Sequence, residues 1–102
     1  MRLWRLALLL LAAAAPDGKE IVLHGNGNGA LPCAACHGAL GQGNSSIGAP
    51  ALAGRQAGDI VAALNLMAAG QGGTGLMRSI ASALTLDERQ AVAAYFASLP
   101  KP

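Results

Sequence analysis

The chain has 102 residues, which is enough for one small domain, and 53% of them are hydrophobic while only 12% are charged. Seven Lys and Arg stand against five Asp and Glu, giving a formal net charge of +2. The basic residues do not cluster in the way that a nucleic-acid-binding surface requires, so composition and charge argue against a nucleic-acid partner.

The first fifteen residues have the plan of a secretory signal. Arg2 and Arg5 give a short positive start, residues 6–11 are all apolar, and small residues continue to Ala15. The apolar stretch is shorter than the roughly 20 residues that span a bilayer, so we expect cleavage near Ala15 rather than an uncleaved anchor. In residues 16–102 five Lys and Arg balance five Asp and Glu. The sequence therefore predicts an exported, periplasmic domain with no net charge.

A short helix is predicted from Asp17 to His24, because good helix formers surround three aliphatic residues and Gly25 then ends the run. His24 falls in its last turn, where a protonated imidazole would interact favourably with the negative end of the helix. The glycines and asparagines of residues 25–29 tolerate positive φ, so a tight turn is expected there.

The five residues from Cys33 to His37 read Cys-Ala-Ala-Cys-His, which matches the attachment sequence of a c-type haem. In that chemistry each thiol adds across one vinyl group of the porphyrin, and the adjacent imidazole donates a nitrogen to the iron. These are the only two cysteines of the chain.

Three alternatives exist for these cysteines. A thioredoxin-like dithiol belongs beside a βαβ pattern, which is absent from the sequence. A structural zinc site takes four ligands, for which Cys33, Cys36, His37 and His24 could be counted. A disulfide across so few residues would constrain the chain little. None of the three requires His37 to follow Cys36 directly, so the motif favours haem.

The segment from Gly38 to Gly54 is rich in Gly, Ser and Pro and shows no alternation of β-branched residues, which predicts a loop rather than a sheet. A helix is predicted from Asp59 to Ala69, because apolar residues recur there at spacings of three and four: Ile60, Val61, Leu64, Met67 and Ala68. Gly70 is expected to end this helix, and residues 71–75 to form a flexible connection.

The last helix has the clearest start. Thr85 and Glu88 have the spacing of a capping box, and Pro100 closes the segment. An apolar stripe is predicted along this helix: Leu86, Val92, Ala93, Phe96 and Leu99.

Iron that is bound on one side by His37 needs a second axial ligand if it is to transfer electrons without binding substrate. Methionine is the usual partner of histidine in such carriers and raises the reduction potential. We favour Met77, since a glycine-rich loop before it would let its side chain approach the iron, whereas Met67 is more simply explained as core. His24 remains an option and would predict a lower potential.

Taken in order, five parts of the chain resemble a class I c-type cytochrome: residues 31–38, residues 49–54, Met77, residues 84–88 and residues 93–99. Within that class the chain is similar to a single domain of the periplasmic diheme cytochromes c or to the related small monohaem cytochromes. The resemblance covers essentially all of residues 16–102. Only one attachment motif is present, so two haems cannot be held within one chain.

The resemblance implies an all-α fold wrapped around one haem c. It assigns the thioether bonds to Cys33 and Cys36, and the axial positions to His37 and Met77. It also implies that the carbonyl of Pro50 accepts a hydrogen bond from the proximal histidine. An arginine such as Arg55 could lie near a haem propionate or simply in solvent. Tyr95 and Phe96 match aromatic positions of the C-terminal helix of this family.

These features predict an electron-transfer protein rather than an enzyme. It would carry single electrons between periplasmic or membrane redox partners, such as a dehydrogenase, an oxidase or another cytochrome, with low-spin iron. Two alternatives stay open: a cytochrome subunit of a periplasmic dehydrogenase complex, and a haem ligand sensor or peroxidase-like protein with an open iron site. A neutral, apolar surface offers little electrostatic steering, and it would permit a dimer or peripheral contact with membrane complexes.

Overall fold

The computed structural model describes residues 15–102, so the predicted signal sequence lies, apart from Ala15, outside the described residues. The all-α prediction is confirmed for this range. Its α-helices are α1 (Gly18–His24), α2 (Ala34–His37), α3 (Ala57–Ala68), α4 (Gly75–Ala83) and α5 (Leu86–Ser98), with a short 3-10 helix at Ser45–Ile47. Strand-like pairing in residues 15–102 is limited to one isolated bridge between Asn44 and Ala49. None of these helices is long and apolar enough to cross a membrane.

A side chain caps the start of each of α1 and α5, and the second of these caps was predicted. Asp17 caps α1 by accepting a hydrogen bond of 3.2 Å from the N–H of Glu20, and Gly25, with φ of 78°, ends the helix. At the start of α5 the N–H of Glu88 donates to Thr85 Oγ1 at 3.1 Å, and the N–H of Thr85 donates to Glu88 Oε1 at 2.9 Å. The predicted capping box is therefore confirmed.

Helix α3 begins two residues before the predicted start, at Ala57, and ends one residue early, at Ala68. Its N-cap residue Gln56 makes no capping hydrogen bond through its side chain, so the sequence carries no signature of this start. The predicted apolar stripe is confirmed, because Ile60 and Leu64 are buried in the core.

Helix α4 was not predicted. A loop was expected to lead directly to Met77, but Met77 lies in the first turn of α4, so that prediction was wrong. Thr74 begins the helix, because its Oγ1 accepts a hydrogen bond of 3.1 Å from the N–H of Met77. The flexible connection is thus shorter than expected and ends at Thr74.

The core lies between α1, α3, α4 and α5. Helix α5 packs against α1 and α3, and α3 also packs against α4. The largest fully buried side chains are Phe96, Leu84, Val22 and Val92. Leu86 was expected on the buried stripe of α5 but is 50% exposed, since it is the first residue of that helix. Gly18 is buried where α1 crosses α5, and a Cβ there would lie 2.6 Å from the carbonyl carbon of Ala91. Only glycine lets the two backbones approach so closely.

Candidate functional site

One short helical turn brings Cys33, Cys36 and His37 together. Cys33 is the N-cap residue of α2, and its carbonyl accepts hydrogen bonds from the N–H groups of Cys36 at 3.3 Å and His37 at 2.9 Å. Both cysteines are free thiols and half-buried. Burial raises the pKa of the Cys33 thiol. The turn therefore presents two unpaired thiols beside an imidazole.

The orientation of the His37 ring is fixed by Pro50. The ring is buried, with only 6% of the residue exposed, and its Nδ1 lies 2.9 Å from the carbonyl oxygen of Pro50. A carbonyl can only accept a hydrogen bond, so Nδ1 carries the proton and Nε2 keeps its lone pair. Within residues 15–102 this is the only hydrogen bond of the His37 side chain. Nε2 is therefore free to act as a ligand.

The loop after α2 brings Pro50 to the His37 ring. The carbonyl of Gly41 accepts hydrogen bonds from the N–H groups of residues 52–53, at 2.8 and 3.0 Å, and this closes the loop. Gly41 has a φ of 65°, and a Cβ there would lie 2.8 Å from the Phe96 ring. Because this glycine packs directly on the core, the loop returns to His37 in one defined position.

Met77 comes from another part of the fold. Helix α2, which carries His37, packs against α1, whereas α4, which carries Met77, packs against α3. Met77 is half-buried against the core and is followed by Arg78. Met67 of α3 lies close to it, since a Cβ added at Gly73 would be 3.1 Å from Met67 Cγ and 3.7 Å from Met77 Cβ. The two methionines thus share the space beside Gly73.

The residues present fit a covalently attached haem. Two free thiols and a buried imidazole with an available Nε2 come from one helical turn, as the attachment chemistry requires. Half-buried apolar residues from four segments pack against the core and would offer contact area to a flat apolar group: Cys33, Ala34, Leu52, Met67 and Met77.

The structure gives the zinc alternative no support. His24, its fourth candidate ligand, has a side chain that is 66% exposed, and its Nε2 lies 3.9 Å from a carboxylate oxygen of Glu20. In the part of the chain that the structure describes, no group of three or more His, Cys, Asp and Glu side chains comes together to hold a metal ion. Arg55 is likewise exposed.

Sequence reasoning missed Arg78. Its Nη1 donates hydrogen bonds to the carbonyl oxygens of Gly72 at 2.8 Å and Gly73 at 3.0 Å. One signal could have located the helix that carries it: Thr74 stands three residues before Met77, and Ile80 follows three residues later. No sequence pattern indicates the two hydrogen bonds of Arg78.

Comparison with known proteins gives a consistent result. Residues 17–100 match the sequence model of the cytochrome c family. The chain is 40% identical over 96 residues to the thiosulfate dehydrogenase electron acceptor of Stutzerimonas stutzeri (strain A1501), an alignment that covers 93% of this chain and 44% of that protein. The structure of this chain is similar to cytochrome c4 of Acidithiobacillus ferrooxidans, with a TM-score of 0.74 and 37% identity. That match covers 80% of this chain and 48% of the cytochrome c4 chain. The structure of this chain is also similar to the thiosulfate dehydrogenase of Marichromatium purpuratum, with a TM-score of 0.78 and 32% identity. That match covers 82% of this chain and 18% of the dehydrogenase chain.

The chain spans less than half the length of each of these relatives. The family match nevertheless extends over nearly all of the described residues, and it agrees with the all-α fold and with the Cys-x-x-Cys-His turn. The family implies a covalently attached haem c, a cofactor that supplies one-electron chemistry, and the relative named as an electron acceptor agrees with electron transfer. This chain is therefore a cytochrome c domain and belongs to the cytochrome c family, as the resemblance predicted.

Proposed function

We propose that this chain is a monohaem c-type cytochrome that carries single electrons between periplasmic or membrane redox proteins. One haem c, attached through Cys33 and Cys36, would supply the one-electron chemistry. The proposal rests mainly on the hydrogen bond between His37 Nδ1 and the Pro50 carbonyl, because that bond commits Nε2 to ligand binding beside two free thiols.

The protein's own residues hold the iron ligands and set their properties. Pro50 keeps the His37 ring in one orientation and raises its basicity through the 2.9 Å hydrogen bond. Met77, half-buried at the start of α4, would provide the second axial ligand. A neutral thioether favours the reduced iron more than a second imidazole does, so the pair His37 and Met77 predicts a relatively high potential.

Several features bear on the partner and on the location. Leu31 and Leu76, which are 55% and 54% exposed, stand close in sequence to Cys33 and Met77 and supply an apolar contact surface for a redox partner. Such a surface suits the small, short-lived encounters of electron-transfer proteins. The relative named as an electron acceptor of thiosulfate dehydrogenase supports a dehydrogenase as the donor, either as a free partner or as a larger subunit of one complex.

Residues 1–15 would act as the signal that directs residues 16–102 to the periplasm. Self-association and contact with membrane complexes stay predictions.

The test is the visible spectrum and the reduction potential of protein that has been exported with a haem-maturation system. We expect ferric wild-type protein to show the near-red charge-transfer band of a methionine-ligated iron. Met77→Ala should abolish this band and lower the potential, whereas Met67→Leu and His24→Ala should keep it. If ferrous wild-type protein binds carbon monoxide readily at neutral pH and Met77→Ala leaves the spectrum unchanged, the iron site is open and the carrier function is wrong.

A further inference from the structure

Residues 70–74, here called the strap, connect α3 to the helix that carries Met77. Gly70, Gly72 and Gly73 all have positive φ, between 56° and 86°. The start of the strap is fixed by α3, because the N–H of Gly70 donates to Met67 O at 3.0 Å and that of residue 71 to Leu66 O at 2.9 Å. A segment so rich in glycine has high conformational entropy, so it stays in one position only if other groups hold it.

The middle of the strap is held by Arg78. Its Nη1 donates to both Gly72 O and Gly73 O, and within residues 15–102 these are the only hydrogen bonds of the two glycines. No Asp or Glu of the described residues forms an ion pair with Arg78, so its guanidinium is not engaged elsewhere. Arg78 therefore ties the strap to the first turn of α4.

The strap lies against both methionines. A Cβ added at Gly73 would collide with the Met67 sulfur and would lie 3.7 Å from Met77 Cβ. If Gly73 moved away from this position, space would open directly beside Met77, and the Met77 side chain would lose its neighbour on that side. The position of the strap thus sets the space beside the base of the Met77 side chain.

We propose that Arg78 is a positioning residue for the axial ligand: by holding Gly72 and Gly73 against Met67, it keeps the Met77 thioether in place and keeps competing ligands out. The inference rests on the proposed function, because it takes Met77 as the second ligand of the iron. Arginine suits this role, since the two N–H donors of Nη1 are held in the rigid plane of the guanidinium, whereas the lysine ammonium rotates freely on a flexible stem.

Arg89 provides a matched control. It is also a half-buried arginine with two hydrogen bonds, from Nε to Leu84 O at 3.2 Å and from Nη1 to Asn65 Oδ1 at 2.7 Å, but it ties α5 to α3 and does not touch the strap. Arg89→Gln should therefore lower the thermal midpoint, as Arg78→Gln does, without acting on Met77.

The experiment measures the affinity of the ferric, haem-loaded protein for added imidazole, by visible spectroscopy, in wild type, Arg78→Gln, Arg78→Lys and Arg89→Gln. We expect Arg78→Gln to bind imidazole about three- to tenfold more tightly than wild type, the factor that corresponds to the net loss of about one hydrogen bond. Arg78→Lys should fall between the two, and Arg89→Gln should match wild type. Hydrogen exchange at the Met77 amide, which donates to Thr74 Oγ1, should become faster only in the Arg78 variants.

The possible results distinguish a failure of the Arg78 inference from a failure of Met77 as the iron ligand. If Arg78→Gln and wild type bind imidazole equally, while Met77→Ala removes the near-red band, Met77 is the ligand and the inference about Arg78 is wrong. An equal rise in affinity for Arg89→Gln would also overturn it, because the effect would then follow general stability. If Met77→Ala leaves the band unchanged, the proposed ligand itself is wrong.

Discussion

The crossing of α1 over α5 allows a sharp test of how this fold is held together. Gly18 is buried there, and the Cβ of Gly18→Ala would collide with the carbonyl oxygen of Ala91 and lie 2.6 Å from its carbonyl carbon. Both obstructing atoms belong to the backbone of α5, so no side-chain rotation relieves the clash. The two helices must move apart, and buried contacts such as those of Val22 would loosen.

The expected loss of stability follows from two opposing terms. Overpacking of a tight site costs about 1–3 kcal/mol, and the upper part of this range applies when backbone obstructs. Replacing glycine by alanine recovers at most about 0.5–1 kcal/mol, the value for a helix interior, because Gly18 is the first residue of α1. The net loss is then about 2 kcal/mol, which for a domain of this size lowers the thermal midpoint by about 8–16 °C.

Gly58→Ala is the control, because Gly58 lies in α3 and no atom is within 4 Å of its added Cβ. Thermal unfolding of the haem-loaded proteins, followed by circular dichroism, should show a lower midpoint for Gly18→Ala and an equal or slightly higher one for Gly58→Ala. Equal midpoints for Gly18→Ala and wild type would refute the close backbone contact between α1 and α5.

Two further predictions concern the loop before the Cys-x-x-Cys-His turn. Asn26 Nδ2 donates to Ala83 O at 2.8 Å and to Glu88 Oε1 at 3.1 Å, and its Oδ1 accepts two backbone N–H groups of its own loop, so Asn26→Ala should cost about 2–4 kcal/mol in chemical denaturation. Asn28→Ala, at an exposed residue of the same loop, should cost almost nothing, and equal losses would contradict the role of Asn26. The hydrogen bond from the Thr85 N–H, helped by Asn26, holds the pKa of Glu88 below its usual range. Its stabilisation is therefore present above the unfolded-state pKa, which is about 4.3, and is lost as the pH falls through the lower folded-state value. Glu88→Gln should accordingly lose less stability than wild type between neutral and acidic pH, and an identical pH dependence of the thermal midpoint would show that Glu88 does not contribute.

The sequence was informative where a single local interaction decides the structure. The pair Thr85 and Glu88 marked the start of α5, because capping depends on residues only three positions apart. Gly25 marked the end of α1. Helix α4 was missed because three glycines and a threonine precede Met77, and their composition is typical of a loop. Packing of α4 against α3 outweighs that low helix propensity, and a local pattern does not reveal such packing.

The residues of the candidate site also divide into those that local sequence identifies and those that it does not. Cys33, Cys36 and His37 could be identified together because they are neighbours in the chain. The contact of His37 with Pro50 spans thirteen residues and depends on how the loop returns to the core, so only the resemblance to a family indicated it. The hydrogen bonds of Arg78 to Gly72 and Gly73 span only six and five residues, but they depend on how the strap folds back on α4, which no sequence pattern indicates. Their effect on the iron ligands stays a prediction.

The most direct measurement is the intact mass of the mature protein isolated from the periplasm after expression with a haem-maturation system. Attachment through Cys33 and Cys36 predicts the mass of the processed polypeptide plus one haem, a mass that persists under denaturing conditions and disappears in the double variant Cys33→Ser, Cys36→Ser. A wild-type protein with the mass of the polypeptide alone would contradict the covalent haem on which the proposed electron transfer depends.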